Sequence, residues 1–194
     1  MGRFCFFEID LIMLQPNFTP FLELETERLV LRRITQDDTQ ELFILRSDKA
    51  VLKYIGREPM QTVDEVHAFL KTIDEGIEKN EAILWGIALK EEPSKIIGTI
   101  CLWRIQPANY RAELGYMLHP QHWGRGITKE AIQKVIEYGF KTLQLHSIEA
   151  RIHAHNKASA GVLHSTGFIQ EGYLKEEFCF REKFSDTIIY SRLQ

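Results

Sequence analysis

Gln121-His122-Trp123-Gly124-Arg125-Gly126 is the stretch on which the reading of this chain turns. It follows a strand-like run, Ala112-Glu113-Leu114-Gly115-Tyr116-Met117-Leu118, and opens the longest clean helical pattern in the sequence. In that pattern Ile127, Ala131, Ile132, Val135, Ile136, Phe140 and Leu143 form one apolar stripe. A strand, a turn with two glycines and a helix N-terminus together leave backbone N–H groups without helical partners, a place for a phosphate. Arg125, between the glycines, adds a cation able to lie along a pyrophosphate. No GxxxxGK[ST] is present and no GxGxxG follows a first βαβ strand, so neither a nucleoside triphosphatase nor a dinucleotide dehydrogenase is indicated.

Working outward, Arg28 to Ile34 reads as a first strand, and Thr35 with Asp38 forms a capping box for a helix reaching Leu45 or Arg46. Asp48 to Met60 reads as irregular. Thr62 with Glu65 repeats the box, and Val66, Phe69, Leu70, Ile73 and Ile77 have the spacing of a second helix. Ile83 to Leu89 and Ile96 to Ile105 are nearly continuous apolar runs around a turn at Glu91 to Ser94, and with 112–118 they make an antiparallel meander. A strand at 147–155 alternates Ile148, Ala150, Ile152 and Ala154 with polar residues. Asn156 then caps a short helix ending at Gly167, and Phe168 to Tyr173 and Thr187 to Leu193 read as the last strands.

The 194 residues suit one domain, with 44% apolar and 26% charged residues in ordinary globular balance. The net charge of -3 carries no footprint for nucleic acid or an anionic membrane. Cys5, Cys101 and Cys179 are scattered, which fits a reducing cytoplasm rather than a disulfide framework. Phe4 to Leu14 is apolar, but Glu8 and Asp10 interrupt it and no small-residue cleavage site follows, so it does not read as a signal peptide. Met13 is an alternative start, with residues 1–12 an extension that the fold does not use. His153-x-His155 shares a strand face and His119 and His122 flank the turn. No Cys or carboxylate completes a ligand spacing, so no metal is expected; His119 and His153 stand as alternative bases. Trp85 and Trp103 read as core residues, with an aromatic acceptor wall including Trp123 as the other reading.

Gln121-x-x-Gly124-x-Gly126 after Glu113-Leu-Gly-Tyr-Met-Leu118 resembles the acyl-CoA signature of the GNAT superfamily of N-acetyltransferases. Asn156-Lys-Ala-Ser159 with Gly167-Phe168 is similar to an element of its ribosomal-protein-alanine acetyltransferase (RimJ/RimL-like) branch, as is Glu25-Thr-Glu-Arg-Leu-Val-Leu-Arg32. The resemblance implies a single α/β domain of α+β type over 21–194, preceded by an N-terminal extension at 1–20. Its sheet would be mixed, largely antiparallel and twisted, of six to seven strands, with helices on both faces. It further implies a cytoplasmic enzyme that carries acetyl from acetyl-CoA to a primary amine, a protein N-terminus or a small amine, by direct attack in a ternary complex. The alternative is a degenerate acyl-CoA-binding sensor. Homo-oligomerisation is left open.

Acetyl transfer requires the cofactor held, the carbonyl polarised, the ammonium deprotonated and the thiolate protonated. The resemblance assigns the pyrophosphate to Gln121, His122, Trp123, Gly124, Arg125 and Gly126, with Ile127 and Thr128 in the first helical turn. The usual Thr lies one position later than Thr128. The carbonyl goes to a backbone N–H near Met117 and Leu118, and the pantetheine arm to the space between 112–118 and 147–155. Asn156 and Ser159 complete the cofactor side. Glu113 is the candidate general base, with an ion pair to Arg151 as its structural alternative. The position of the family's Tyr proton donor holds Leu163, so that role passes to Ser159 or water. Acceptor choice falls to Asp48–Met60 and Lys175–Phe184, and the net charge leans towards a cationic amine or basic peptide.

Overall fold

The apolar runs from Ile83 to Leu118 become the middle of the sheet. In the computed structural model, which describes residues 13–194, β1 (Leu24–Glu25), β2 (Leu29–Arg32), β3 (Ile83–Leu89), β4 (Glu92–Gln106) and β5 (Arg111–Leu118) each run antiparallel to the next. Between β2 and β3 lie α1 (Thr39–Ser47), α2 (Lys49–Leu52) and α3 (Val63–Glu78). Helix α4 (Ile127–Lys141) is the crossover that brings β6 (Ser147–His153) parallel to β5, since a parallel pair cannot be joined by a hairpin. Helix α5 (Lys157–Ser165) leads to the hairpin of β7 (Ile169–Phe180) and β8 (Lys183–Leu193), and β8 pairs antiparallel with β6. The mixed sheet has 8 strands in the order β1-β2-β3-β4-β5-β6-β8-β7.

The sheet is larger than the six to seven strands expected, and β4, β7 and β8 each run several residues longer than read. The two-residue β1 is too short to leave a sequence period. The β3–β4 turn is at Lys90 and Glu91, so β4 takes in Glu92 and Pro93. Register shifts at Ile87 to Leu89 accommodate this proline, whose missing N–H a regular ladder would need. The β7–β8 hairpin runs through 175–184 and turns at Arg181 and Glu182, both with positive φ (50° and 61°). Asp48 to Met60, expected to be irregular, contains α2, whose first N–H groups are capped by Asp48 Oδ1 accepting from Ala50 and Val51.

Alternation sends each strand's residues to two faces. Ile100, Leu102, Leu114, Ile148 and Ala150 meet the stripe of α4 in the main core. On the other face Leu42 of α1 and Val66 and Leu70 of α3 pack with Ile34 and Ile96. Leu14 and Phe18, which the sequence reading puts in the extension, are buried in the main core. The Phe18 N–H donates to Asn80 Oδ1 at 2.8 Å, and Trp85 Nε1 donates to the Leu22 carbonyl at 2.8 Å. The readings of Cys5 and of residues 1–12 lie outside the described residues. Among the described residues no helix is long and apolar enough to cross a membrane.

The feature that positions the site is the short β5–β6 ladder. It pairs Arg111 with Ser147, Ala112 with Ile148 and Glu113 with Glu149, and then stops. Strand β5 continues to Leu118 and β6 to His153, so the sheet opens between them. Because Phe18 anchors residues 13–22 in the core, Phe18→Ala is expected to cost about 3–5 kcal/mol in urea unfolding. A cost below about 1 kcal/mol would make the segment dispensable.

Candidate active site

The 3₁₀ turn Pro120–His122 follows β5 directly. The His122 N–H donates to the His119 carbonyl (2.9 Å) and the Trp123 N–H to the Pro120 carbonyl (3.1 Å). The indole of Trp123 donates to the Leu118 carbonyl at 2.7 Å, tying the turn to the strand. Gly124 and Gly126 then take positive φ (73° and 76°), a region other residues enter at a cost. The first helical bond is Glu130 N–H to the Gly126 carbonyl, at 3.1 Å. The N–H groups of Gly124, Arg125, Gly126, Ile127, Thr128 and Lys129 therefore have no acceptor among the described residues. The unpaired N–H groups thus lie further towards α4 than the 121–126 expected, because the N–H groups of His122 and Trp123 close the turn itself. Ile127 points into the core and offers only its backbone, while Thr128 lies in the first turn of α4. His122 Nδ1 is buried without a partner, and burial, Arg125 and His119 together hold its imidazole below the ordinary range.

A brace behind this turn was invisible as such in the sequence. Glu130 Oε1 accepts from Thr26 Oγ1 (2.6 Å) and from the Arg28 N–H (2.9 Å), and its Oε2 accepts from Arg28 Nε (2.7 Å). Arg28 Nη1 also donates to the Arg125 carbonyl at 3.0 Å, inside the glycine turn. Burial raises the Glu130 carboxyl, and the bonds from Thr26 and Arg28 outweigh it, so the pKa lies below its ordinary value. Thr26 and Arg28 belong to the motif noted at residues 25–32. Their partner lies 102 residues from Arg28, a separation no local pattern reports.

At the opening between β5 and β6 the backbone is polarised. The His119 N–H to Ile97 carbonyl bond (2.9 Å) sets the alternation of the β4–β5 ladder. It turns the Met117 N–H towards β4 and the Leu118 N–H towards the gap. On the α4 face the Tyr116 hydroxyl meets Ser159 Oγ at 2.5 Å. Burial pushes the Tyr116 phenol up to about 12, against the Ser159 hydrogen bond, so it stays protonated. Asn156 Oδ1 caps α5 by accepting from the Ser159 N–H at 3.1 Å. Leu163 is fully buried in the core. Tyr116 comes from β5 and not from α5, so no pattern within that helix signals it.

Glu113 is on the opposite face, only 9% exposed, and accepts from Arg104 Nη1 at 3.0 Å. Arg151, its expected partner, instead pairs with Glu149 (3.5 Å) and Glu177. Arg104 occupies the register break between Trp103 and Gln106 with a φ of 46°, and its guanidinium lies over the Trp103 ring. Burial raises the Glu113 carboxyl, with Arg104 opposing. The Cys101 thiol on the same face is pushed up to about 12 by burial and is not nucleophilic.

The two segments named for acceptor choice meet each other. Glu58 pairs with Arg181, Phe178 lies where a side chain on Gly56 would be, and the Tyr54 ring stands 5.2 Å from that of His153. His153 and His155 are 5.4 Å apart by ring centroids, and His119 and His122 6.4 Å. Among the described residues no group of His, Cys, Asp and Glu could hold a metal ion. Trp85 is sealed in the α4-side core and forms no part of an acceptor wall, Trp103 borders Arg104, and Trp123 is bound to the turn.

A split mixed sheet with a glycine turn of unpaired N–H groups at the head of its crossover helix is the arrangement expected of an acyl-CoA-dependent transferase, and the comparisons agree. Residues 28–169 match the acetyltransferase (GNAT) domain, and the chain belongs to that family, whose co-substrate is acetyl-CoA. It is similar to the uncharacterized N-acetyltransferase YoaA of Bacillus subtilis, at 35% identity over 87% of this chain and 94% of that protein. It is 28% identical to the [ribosomal protein uS5]-alanine N-acetyltransferase of Escherichia coli, over 88% of this chain and 90% of that one. Its fold matches the crystal structure of spermidine N-acetyltransferase from Vibrio cholerae in complex with CoA and spermine. That match has a TM-score of 0.77 at 24% identity, covering 87% and 97% of the two chains. The protein is an N-acetyltransferase.

A Cβ on Gly124 would meet nothing within 4 Å, so Gly124→Val strains only the backbone and blocks the approach of an anion. It is expected to raise the Kd for CoA by a factor on the order of ten or more while the protein stays folded. Arg28→Ala should raise it less, through the loosened brace. Unchanged binding heats for both variants would remove the turn from CoA recognition.

Proposed function

We propose that the protein transfers acetyl from acetyl-CoA directly to a primary amine held with it in a ternary complex. The observation that carries the reading is the placing of two proton-handling groups on opposite faces where the β5–β6 ladder ends. Glu113 lies on the α1 and α3 face, and the Tyr116–Ser159 hydroxyl pair on the α4 and α5 face. An amine arriving on the first face loses its proton to Glu113, directly or through a water, and attacks the thioester carbon. The Leu118 N–H supports the developing oxyanion. On the second face Ser159, backed by Tyr116, gives a proton to the departing CoA thiolate. The N–H groups of residues 124–129 hold the pyrophosphate, with Arg125 beside it and Asn156 Nδ2 available to the pantetheine arm.

Tyr116 supplies a phenol where Leu163 could not, and this favours an enzyme over a degenerate sensor. Relatives act on or bind different amines: a ribosomal-protein alanine in the Escherichia coli enzyme, and spermine in the Vibrio cholerae complex. The Asn156–Phe168 element and the residue 25–32 motif, with its Glu130 brace, support a place in the RimJ/RimL-like branch.

Glu113 must be ionised to act as base, and burial raises its pKa. The acid limb of the kcat/KM profile is therefore expected above the ordinary carboxylate range, with activity rising as pH increases through it. Glu113→Gln should lower kcat by about 10²–10⁴-fold and abolish that limb, leaving the Kd for CoA within a factor of about three. Full activity in this variant would exclude Glu113 from the mechanism. Ser159→Ala and Tyr116→Phe should each slow release of the CoA thiol.

A further inference from the structure

The carboxylates around the acceptor face of the sheet each have a cationic or backbone partner. Glu113 is held by Arg104, Glu149 by Arg111 and Arg151, Glu177 by Arg151 and Glu58 by Arg181. Asp48 spends its Oδ1 on the cap of α2. Two arginines in the same region have no such partner. Arg46, at the end of α1, is only 8% exposed and lies over the Phe69 ring with Cζ 3.6 Å from the centroid. It makes no ion pair or side-chain hydrogen bond among the described residues, yet its guanidinium nitrogens are not sealed from solvent. Arg57, in the loop that meets the β7–β8 hairpin, is exposed and likewise without an acid.

Arg57 acts on Arg46, and both arginines and Glu113 act on the Cys101 thiol, which stands on the face of the sheet that carries Glu113. Burial, with the charge of Arg57 added, lowers the Arg46 guanidinium to about 10. Holding a guanidinium in a protein interior without an anion is costly, and a ring face offsets only part of that cost. The arrangement awaits an anion that can accept several N–H donors at once, as a carboxylate does.

We propose that the acceptor is an amine that also carries a carboxylate, which Arg46 and Arg57 bind while the amine reaches Glu113. This rests on the acetyltransferase reading given above. It opposes the lean of the net charge towards a cationic acceptor, because surface charge elsewhere does not enter the site. A polyamine would bring its second ammonium towards two unneutralised guanidinium groups and would be repelled.

The test is steady-state transfer from acetyl-CoA, followed by thiol release and mass spectrometry of the product. The acceptors are a short peptide with a free N-terminal alanine followed by glutamate, free aspartate, the amide counterpart of each, and spermidine. The carboxylate forms are expected to exceed their amides in kcat/KM by on the order of tenfold or more, mainly through KM. The peptide and free-acid arms tell a polypeptide acceptor from a small one. Arg46→Met and Arg57→Ala should each bring acid and amide forms together while the Kd for CoA stays where it was. Should Arg46→Met fail to fold, exposed Arg57 and the wild-type panel still decide. Spermidine preferred over every carboxylate, or a preference unchanged in Arg57→Ala, overturns the proposal and leaves the acetyltransferase reading standing. No transfer to any amine, with CoA still bound, overturns both.

Discussion

Two parallel strands that pair through Glu113 and Glu149 and then part leave backbone donors and acceptors facing an opening in the middle of a sheet. Such groups are expensive to leave unmatched, so the opening suits a ligand able to lie along β5 as a further strand would. Everything functional is arranged around this break. The crossover that makes β5 and β6 parallel starts at their open end, so the N-terminus of α4 and its unpaired N–H groups stand beside it. Alternation along β5 then sends Glu113 to one side and Tyr116 to the other, so one strand carries both of the side chains to which the proposed mechanism gives proton transfer.

An anion site at a helix N-terminus is weakened by a carboxylate in the same turn, and Glu130 is such a carboxylate. Its neutralisation by Arg28 and its hydrogen bond from Thr26 turn the difficulty into an anchor. The charge is cancelled, and the edge of the sheet is fastened to the glycine turn. The same economy is seen at Glu113, where Arg104 reaches the carboxylate from a left-handed position in a broken ladder.

The strongly periodic parts of this fold were legible from residue order. The α4 stripe, the three-stranded meander and the Asn156 cap emerge as read, because each depends on neighbours within a few residues. The β7–β8 hairpin is longer than its residue pattern predicts. Its turn uses Arg181 and Glu182 at positive φ, where a glycine or asparagine signal would be sought. Tyr116, Arg104 and the Thr26–Arg28–Glu130 brace were not legible, since each meets its partner only after the sheet has formed. Glu113, Ser159 and Asn156 stand beside the opening, and the ion pair offered as the structural alternative for Glu113 forms with Arg104 rather than Arg151. The net charge of -3 carries no trace of the two cations Arg46 and Arg57, because a whole-chain sum averages over distances at which solvent screens the charges.

Gly56 has a φ of 64°, and a Cβ added to it would lie 2.2 Å from the Phe178 ring. The α2–α3 loop and the end of the last hairpin therefore interlock as two halves of one contact, with the Glu58–Arg181 ion pair beside the ring. Neither half can be exchanged for that of a relative alone, since a new loop would arrive without its matching ring and charge. Grafting either segment would thus require moving both together, more than a hundred residues apart in the chain.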